Sequence, residues 1–250
     1  MLPLVGTALG ALCVLFTRRG AGLRTIKVIE GFSAGVMIAA SIWSLLIPSI
    51  EFASGEGAIT VVPAVIGFIS GMLFFLLCDA ALARYKSKHS DIEDSGALNG
   101  RLFPIIAVAV HNLPEGMAVG AIYAEVLSAE NRAAVFSVAA ALSIGIAVQN
   151  LPEGAIVSMP LHAMGMGKGK AFLMGVLSGI VEPIGAIITI LAAGIAVPLL
   201  PYLLAFAAGA MVFAVFHGFT ENEGGDAGLS WMIAFSLGFS LMMSLDVILG

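Results

Sequence analysis

The sequence is short of charge. Of its 250 residues only 11% are Asp, Glu, Lys or Arg, less than half of the roughly 25% usual in a soluble domain. With 60% hydrophobic residues and a mean hydropathy of +1.06, a water-facing surface would consist mostly of Leu, Ile, Val and Ala, which excludes a soluble globular fold. Cysteine is scarce as well. Cys13 and Cys78 both lie in apolar stretches, where a thiol behaves as a small packing residue, so no disulfide framework is expected. The 11 basic residues are outnumbered by 16 acidic ones and neither sign forms a long run, which removes nucleic-acid binding from consideration. No low-complexity segment or soluble domain interrupts the chain. The longest polar stretch, 84–101, reads as a solvated loop with His89 at the surface.

What is present is a series of apolar runs, each near the 20 residues or so that a membrane helix requires. They fall at about 2–17, 29–50, 59–83, 102–124, 133–158, 171–197, 201–219 and 229–249, predicting an all-α integral membrane protein of eight spans in one domain, 1–250. The first run lacks a basic leader and is followed by Arg18 and Arg19, so it reads as a retained helix and not as a signal peptide. Arg18, Arg19, Arg24, Lys27, Arg84, Lys86, Lys88, Arg101, Lys168 and Lys170 all fall in three alternate loops, leaving Arg132 alone on the other side. The positive-inside rule then places those loops in the cytoplasm and both termini outside. Glycines four apart, Gly31 and Gly35, Gly116 and Gly120, Gly175 and Gly179, predict closely packed helices.

Ionisable groups at mid-membrane cost about 2.5–3.5 kcal/mol each on insertion scales, and so mark function by default. Here they are concentrated. The fourth span contains His111-Asn112-Leu113-Pro114-Glu115-Gly116 and the fifth Gln149-Asn150-Leu151-Pro152-Glu153-Gly154, a near copy 38 residues later. Spacings of three and four put His111, Asn112 and Glu115 on one helix face, and likewise Gln149, Asn150 and Glu153. Pro114 frees the carbonyl of Val110 and Pro152 that of Val148, and such backbone is tolerated at membrane depth where it lines a site. Glu182, beside Pro183 in the sixth span, adds a third carboxylate. Three carboxylates in one low-dielectric cavity require a compensating cation or proton, and imidazole, carboxylate and amide oxygen together suit zinc or another first-row divalent ion.

HNLPEG followed by QNLPEG on consecutive spans of an eight-span chain resembles the ZIP family of divalent metal transporters, and GIVEPIGA with short loops is most similar to its bacterial, GufA-like branch. The resemblance implies a metal site formed by His111, Asn112, Glu115, Gln149, Asn150, Glu153 and Glu182. It further implies a binuclear arrangement in which Glu115 and Glu153 bridge, His111 and Gln149 complete one position, and Asn112, Asn150 and Glu182 the other. Met37 matches a residue near the site on the outer side. Ser44, Glu51 and Asp246 match pathway positions toward the mouth, and His217 one on the exit side. The sequence departs from the commonest pattern in opening its fifth-span motif with Gln-Asn and in lacking a His-rich third loop. Met159, His162, Met164 and Met166 offer soft ligands near the cytoplasm, and these read as interfacial packing.

The expected activity is inward transport of zinc, with cadmium, iron and manganese as other candidates, across a bacterial inner membrane. The resemblance implies alternating access, with the first, fourth, fifth and sixth spans sliding as a unit against the rest and the first three and last three forming an inverted repeat. The expected partners are metal ions and lipid, and a homodimer stays open. An intramembrane metalloenzyme is disfavoured because no H-E-x-x-H is present; a passive channel through the same ligands is not separable by sequence.

Overall fold

The structure, a computed structural model, describes residues 2–17, 23–53, 57–88, 97–221 and 228–249; at 23–24, 82–83, 85–88, 97–108, 110–111, 218–221 and 249 it describes backbone alone. The described residues are helical, with no strand among them. In hydrocarbon no water is available to backbone N–H and C=O groups, and a helix satisfies them within one segment.

In chain order the helices are α1 (Leu2–Phe16), α2 (Leu23–Ala40), α3 (Ile47–Glu51), α4 (Val61–Lys88), α5 (Ala97–Ser128), α6 (Arg132–Ala163), α7 (Lys168–Gly179), α8 (Val181–Leu191), α9 (Ala193–Ala196), α10 (Leu200–Glu221) and α11 (Gly228–Leu249). Among the described residues six stretches are long and apolar enough to cross a membrane: Thr25–Glu51, Gly57–Ala81, Arg132–Ala163, Lys168–Leu191, Leu200–His217 and Gly228–Ile248. α1 is apolar but only 15 residues long, and α5 runs for 32.

Several helices outrun the apolar stretches expected from sequence. Arg24 and Lys27 lie in α2, Arg84, Lys86 and Lys88 in α4, Arg101 in α5 and Lys168 and Lys170 in α7, all of them assigned to loops by composition. A charge ends an apolar run without ending a helix, because the backbone bonds continue into the polar layer. The prolines also act differently from place to place. α6 continues through Pro152 and Pro160, and α5 through Pro114.

Two other prolines do alter the helix. Pro48 cannot donate to the carbonyl four residues back, and just ahead of it Ser41–Leu46 widens into a π-helical turn whose end bonds Ile47 N–H to Ile42 O. Pro183 likewise leaves Gly179 O without its helical donor, and the sixth span breaks there. α7 ends at Gly179, Ile180 N–H reaches back only three residues to Leu177 O at 3.3 Å, and α8 starts at Val181. The expected single segment 171–197 is therefore divided among α7, α8, which ends at Leu191, and the short α9.

Packing sorts the helices into two groups. In one, α1 lies along α6 and α5 along α8, with α7 against α1 and α6; in the other, α2 lies along α11 and α4 along α10. Within each pair, glycine lets the backbones interlock. A Cβ on Gly6 or Gly10 would strike the carbonyls of Ala147 or Leu151, one on Gly31 or Gly35 those of Trp231 or Phe235, and one on Gly67 or Gly71 those of Tyr202 or Phe206. On Gly116 or Gly120 it would strike Glu182 or Ala186. Gly154, Gly185, Gly209 and Gly238 return the contact from the opposite helix. The expected pairs Gly31/Gly35 and Gly116/Gly120 thus face a partner backbone, while Gly175 and Gly179 face side chains of Ala11, Ser158 and Thr7.

Between the groups, α5 meets α10 and α2 meets α6 through the main buried cluster, which includes Val36, Ala39, Ala40, Ala118, Ala121, Ile146, Ala207, Ala208 and Met211. A smaller cluster holds Val14, Met159, Leu161 and Ala171 with Met166 packed on it, in line with the packing reading of that methionine-rich segment. Met164 is exposed, and His162 bonds Met166 O through Nδ1 at 2.8 Å, pinning the turn into α7. Cys13 and Cys78 are free; Cys13 is exposed on α1 instead of packed inside, since a thiol faces lipid as readily as a core.

Gly71→Val is expected to lower the thermal midpoint of the detergent-purified protein by several degrees, overpacking against Phe206 costing about 1–3 kcal/mol. Gly194→Ala, with nothing within 4 Å of the added carbon, is expected to leave the midpoint unchanged in the same unfolding scan.

Candidate metal site

The close approach of α5, α6 and α8 brings six of the polar residues singled out by sequence into one buried cluster. Asn112, Glu115, Gln149 and Asn150 have no exposure, Glu182 has 2% and Glu153 7%. α5 supplies Asn112 and Glu115, α6 supplies Gln149, Asn150 and Glu153, and the break before α8 puts Glu182 in the first turn of a helix, where the dipole favours a carboxylate. His111 occupies the α5 backbone one turn before Glu115; its side chain lies outside the described residues.

Hydrogen bonds divide the cluster in two. Gln149 Nε2 donates to Glu115 Oε1 at 2.8 Å. Asn112 Nδ2 and Asn150 Nδ2 both donate to Glu182 Oε1, at 3.0 and 2.9 Å. A carboxylate only accepts, so each amide must turn its NH2 toward the acid and its oxygen away. The result is a concentration of acceptors without donors. Asn112 Oδ1, Glu115 Oε2, Gln149 Oε1, Asn150 Oδ1, both oxygens of Glu153 and Glu182 Oε2 are all buried without a hydrogen-bond partner.

Unsatisfied buried oxygens each carry a desolvation cost of about 1–3 kcal/mol, more when charged. Among the described residues no Lys or Arg pairs with any of the three glutamates, which repel one another. The chemistry such an array lacks is that of a cation. No three His, Cys, Asp or Glu side chains among the described residues converge closely enough to enclose a metal alone, and the acceptors beside the glutamates are amide oxygens.

Thr7 was not singled out by sequence, yet its Oγ1 lies 3.3 Å from Glu182 Oε1. The signal was available, since Thr7 is the one hydroxyl in α1, between Gly6 and Gly10.

Residues 88–246 match the family model described as ZIP Zinc transporter. The chain is 33% identical to zinc transporter ZIP11 of Homo sapiens, over 98% of this chain and 94% of that protein. It is 32% identical to zinc transporter GufA of Myxococcus xanthus, over 99% and 96%, and 34% identical to zinc transporter ZIPB of Bordetella bronchiseptica, over 98% and 78%.

The chain belongs to the ZIP zinc transporter family.

ZIP relatives are transporters and not enzymes, and the likeness to GufA supports the GufA-like branch. The remaining residues matched to ZIP pathway positions sit away from the cluster. Ser44, in the π-helical turn, donates to Asp246 Oδ1, joining that turn to α11. A Cβ on Gly145 would lie 3.0 Å from Ser44 Oγ and 3.4 Å from Asp246 Oδ1, so this pair faces α6 one turn before Gln149. Met37 is buried in the main cluster. Glu51 is exposed at the end of α3 and is not joined to Asp246. His217 Nε2 lies 3.2 Å from Asp79 Oδ1, with Phe213 stacked on the imidazole. Asp79 was passed over in the sequence reading although it is the one acid inside the apolar stretch of α4.

Glu153→Gln is expected to raise the thermal midpoint of the metal-free protein, because Gln fills nearly the same volume without the buried carboxylate that repels Glu115 and Glu182. The same variant is expected to lose the midpoint gain that zinc confers on the parent. Differential scanning with and without zinc checks both halves.

Proposed function

We propose that this ZIP chain carries a divalent cation, zinc foremost, across a membrane into the cytoplasm, with His111, Asn112, Glu115, Gln149, Asn150, Glu153 and Glu182 as its ligands. The observation that carries this reading is the set of seven buried acceptor oxygens without donors, which a cation satisfies and a water-free protein interior does not. Cadmium, iron and manganese have ligand demands close enough to be competitors.

The hydrogen-bond partition supports a reading with two metal positions. Gln149 is tied to Glu115, and with His111 and Glu153 this forms one. Asn112 and Asn150 are tied to Glu182, and this forms the other. Glu115 and Glu153 stand between them as bridging ligands. Glu51, and Ser44 with Asp246, form the outer approach past Met37, and His217 with Asp79 the inner exit.

The two helix groups support alternating access. α1, α5, α6, α7 and α8 carry the metal and move together; α2, α4, α10 and α11 form the frame. Backbone interlocks tie helices within each group, whereas Ala and other aliphatic side chains separate the groups, a surface suited to sliding. The pairing of α1 with α6 and of α8 with α5, mirrored by α2 with α11 and α10 with α4, supports an inverted repeat of the first three and last three of eight spans. Both termini then lie outside, with ten of eleven basic residues at the cytoplasmic face. The short loops favour a bacterial inner membrane, and a homodimer is compatible with the apolar outer face of α4.

In proteoliposomes, saturable uptake of radioactive zinc is expected from the parent and none from Glu115→Ala combined with Glu153→Ala. Rates far above carrier turnover would assign a channel; mutant-sensitive zinc binding without any uptake would overturn transport. Because protons compete with metal for carboxylate and imidazole, zinc affinity is expected to fall as pH drops from about 8 to about 5. A calorimetric isotherm unchanged over that window would count against these ligands.

A further inference from the structure

The repeated motif fixes a correspondence that extends beyond α5 and α6. Gly116 closes one copy and faces the main chain of Glu182, while Gly154 closes the other and faces that of Thr7. Leu113 and Leu151, equivalent in the two copies, face Gly185 and Gly10. Both contacts give one register, since Gly185 follows Glu182 by three residues as Gly10 follows Thr7. Thr7 therefore stands on α1 where Glu182 stands on α8.

The two counterparts touch. Thr7 is fully buried, and its Oγ1 is 3.3 Å from Glu182 Oε1 and 3.4 Å from Pro3 O. One hydroxyl proton serves both directions, and the carboxylate is the stronger acceptor. Together with the two asparagine amides this brings three donors to Glu182 Oε1, while Glu182 Oε2 has none.

We propose that Thr7 is a positioning residue of the metal site, acting through Glu182: its hydroxyl helps lock Oε1 so that Oε2 alone is presented to a cation. This rests on the reading of the cluster as a metal site. An acid at position 7 would repel Glu182, whereas a hydroxyl donates to it. The site thus uses its approximate symmetry to place a ligand on one side and that ligand's holder on the other. Partners that orient a metal ligand commonly carry 10- to 100-fold in affinity.

The test is zinc calorimetry on the full chain in detergent for the parent, Thr7→Val, Thr7→Ser, Glu182→Gln and the Thr7→Val/Glu182→Gln double variant. Thr7→Val keeps the shape and is expected to weaken zinc about tenfold, while Thr7→Ser keeps the hydroxyl and stays within about twofold of the parent. In the Glu182→Gln background Thr7→Val is expected to add nothing, because the effect runs through that carboxylate. Parent-like affinity in Thr7→Val overturns the role, as does a loss in Thr7→Ser equal to that in Thr7→Val, or a full additive loss in the double variant, both of which signify packing against Gly179. Absence of zinc binding by the parent overturns the metal site itself.

Discussion

The structure turns on the cost of keeping acceptor oxygens away from water with no proton to share. Asn112, Glu115, Gln149, Asn150, Glu153 and Glu182 are buried together, and each has at least one oxygen without a donor. Such an array is unstable alone and is held by what surrounds it. Glycine lets α5 press on α8 and α6 on α1, bringing side chains from separate helices within hydrogen-bond range. Glu115 and Glu182 orient the three amides and are held by them in turn, while Glu153 has no amide partner. Under the proposed function, a cation would find those acceptor oxygens already without competing donors.

The polar cluster was largely legible in sequence because ionisable residues are rare in an apolar chain and these recur as a repeat. Glu115 and Glu153 announce themselves by being expensive where they lie. Thr7 does not, since a single hydroxyl in a helix can always bond its own backbone, as the bond to Pro3 O shows. Asp79 escaped attention for a related reason: alone near the end of an apolar run it reads as the run's boundary, and only the fold brings it to His217.

The fold was legible in class and less so in its segment ends. Hydropathy records where lipid begins, and helices such as α4 and α6 continue past that point. The break ahead of Glu182 and the π-helical turn around Ser44 both lie just before a proline, yet Pro114 and Pro152 leave their helices continuous. A proline removes one donor wherever it stands; neighbouring helices decide whether the chain opens there. Both interruptions bear polar side chains of the proposed pathway, and that is where irregular backbone at membrane depth can be tolerated.

The glycine interlocks have a consequence for how such a chain can vary. What each glycine meets is a main-chain carbonyl, at Ala147, Leu151, Trp231, Phe235, Tyr202 and Phe206 among others, and every residue type supplies the same carbonyl. The helix carrying the glycine is constrained to that one residue, while the opposing position is free to exchange its side chain without altering the spacing between axes. Both helices of each pair carry such glycines, so drift is steered on each of them away from the glycines and onto the carbonyl-bearing positions, and the geometry of the cluster stays insulated from side-chain exchange there.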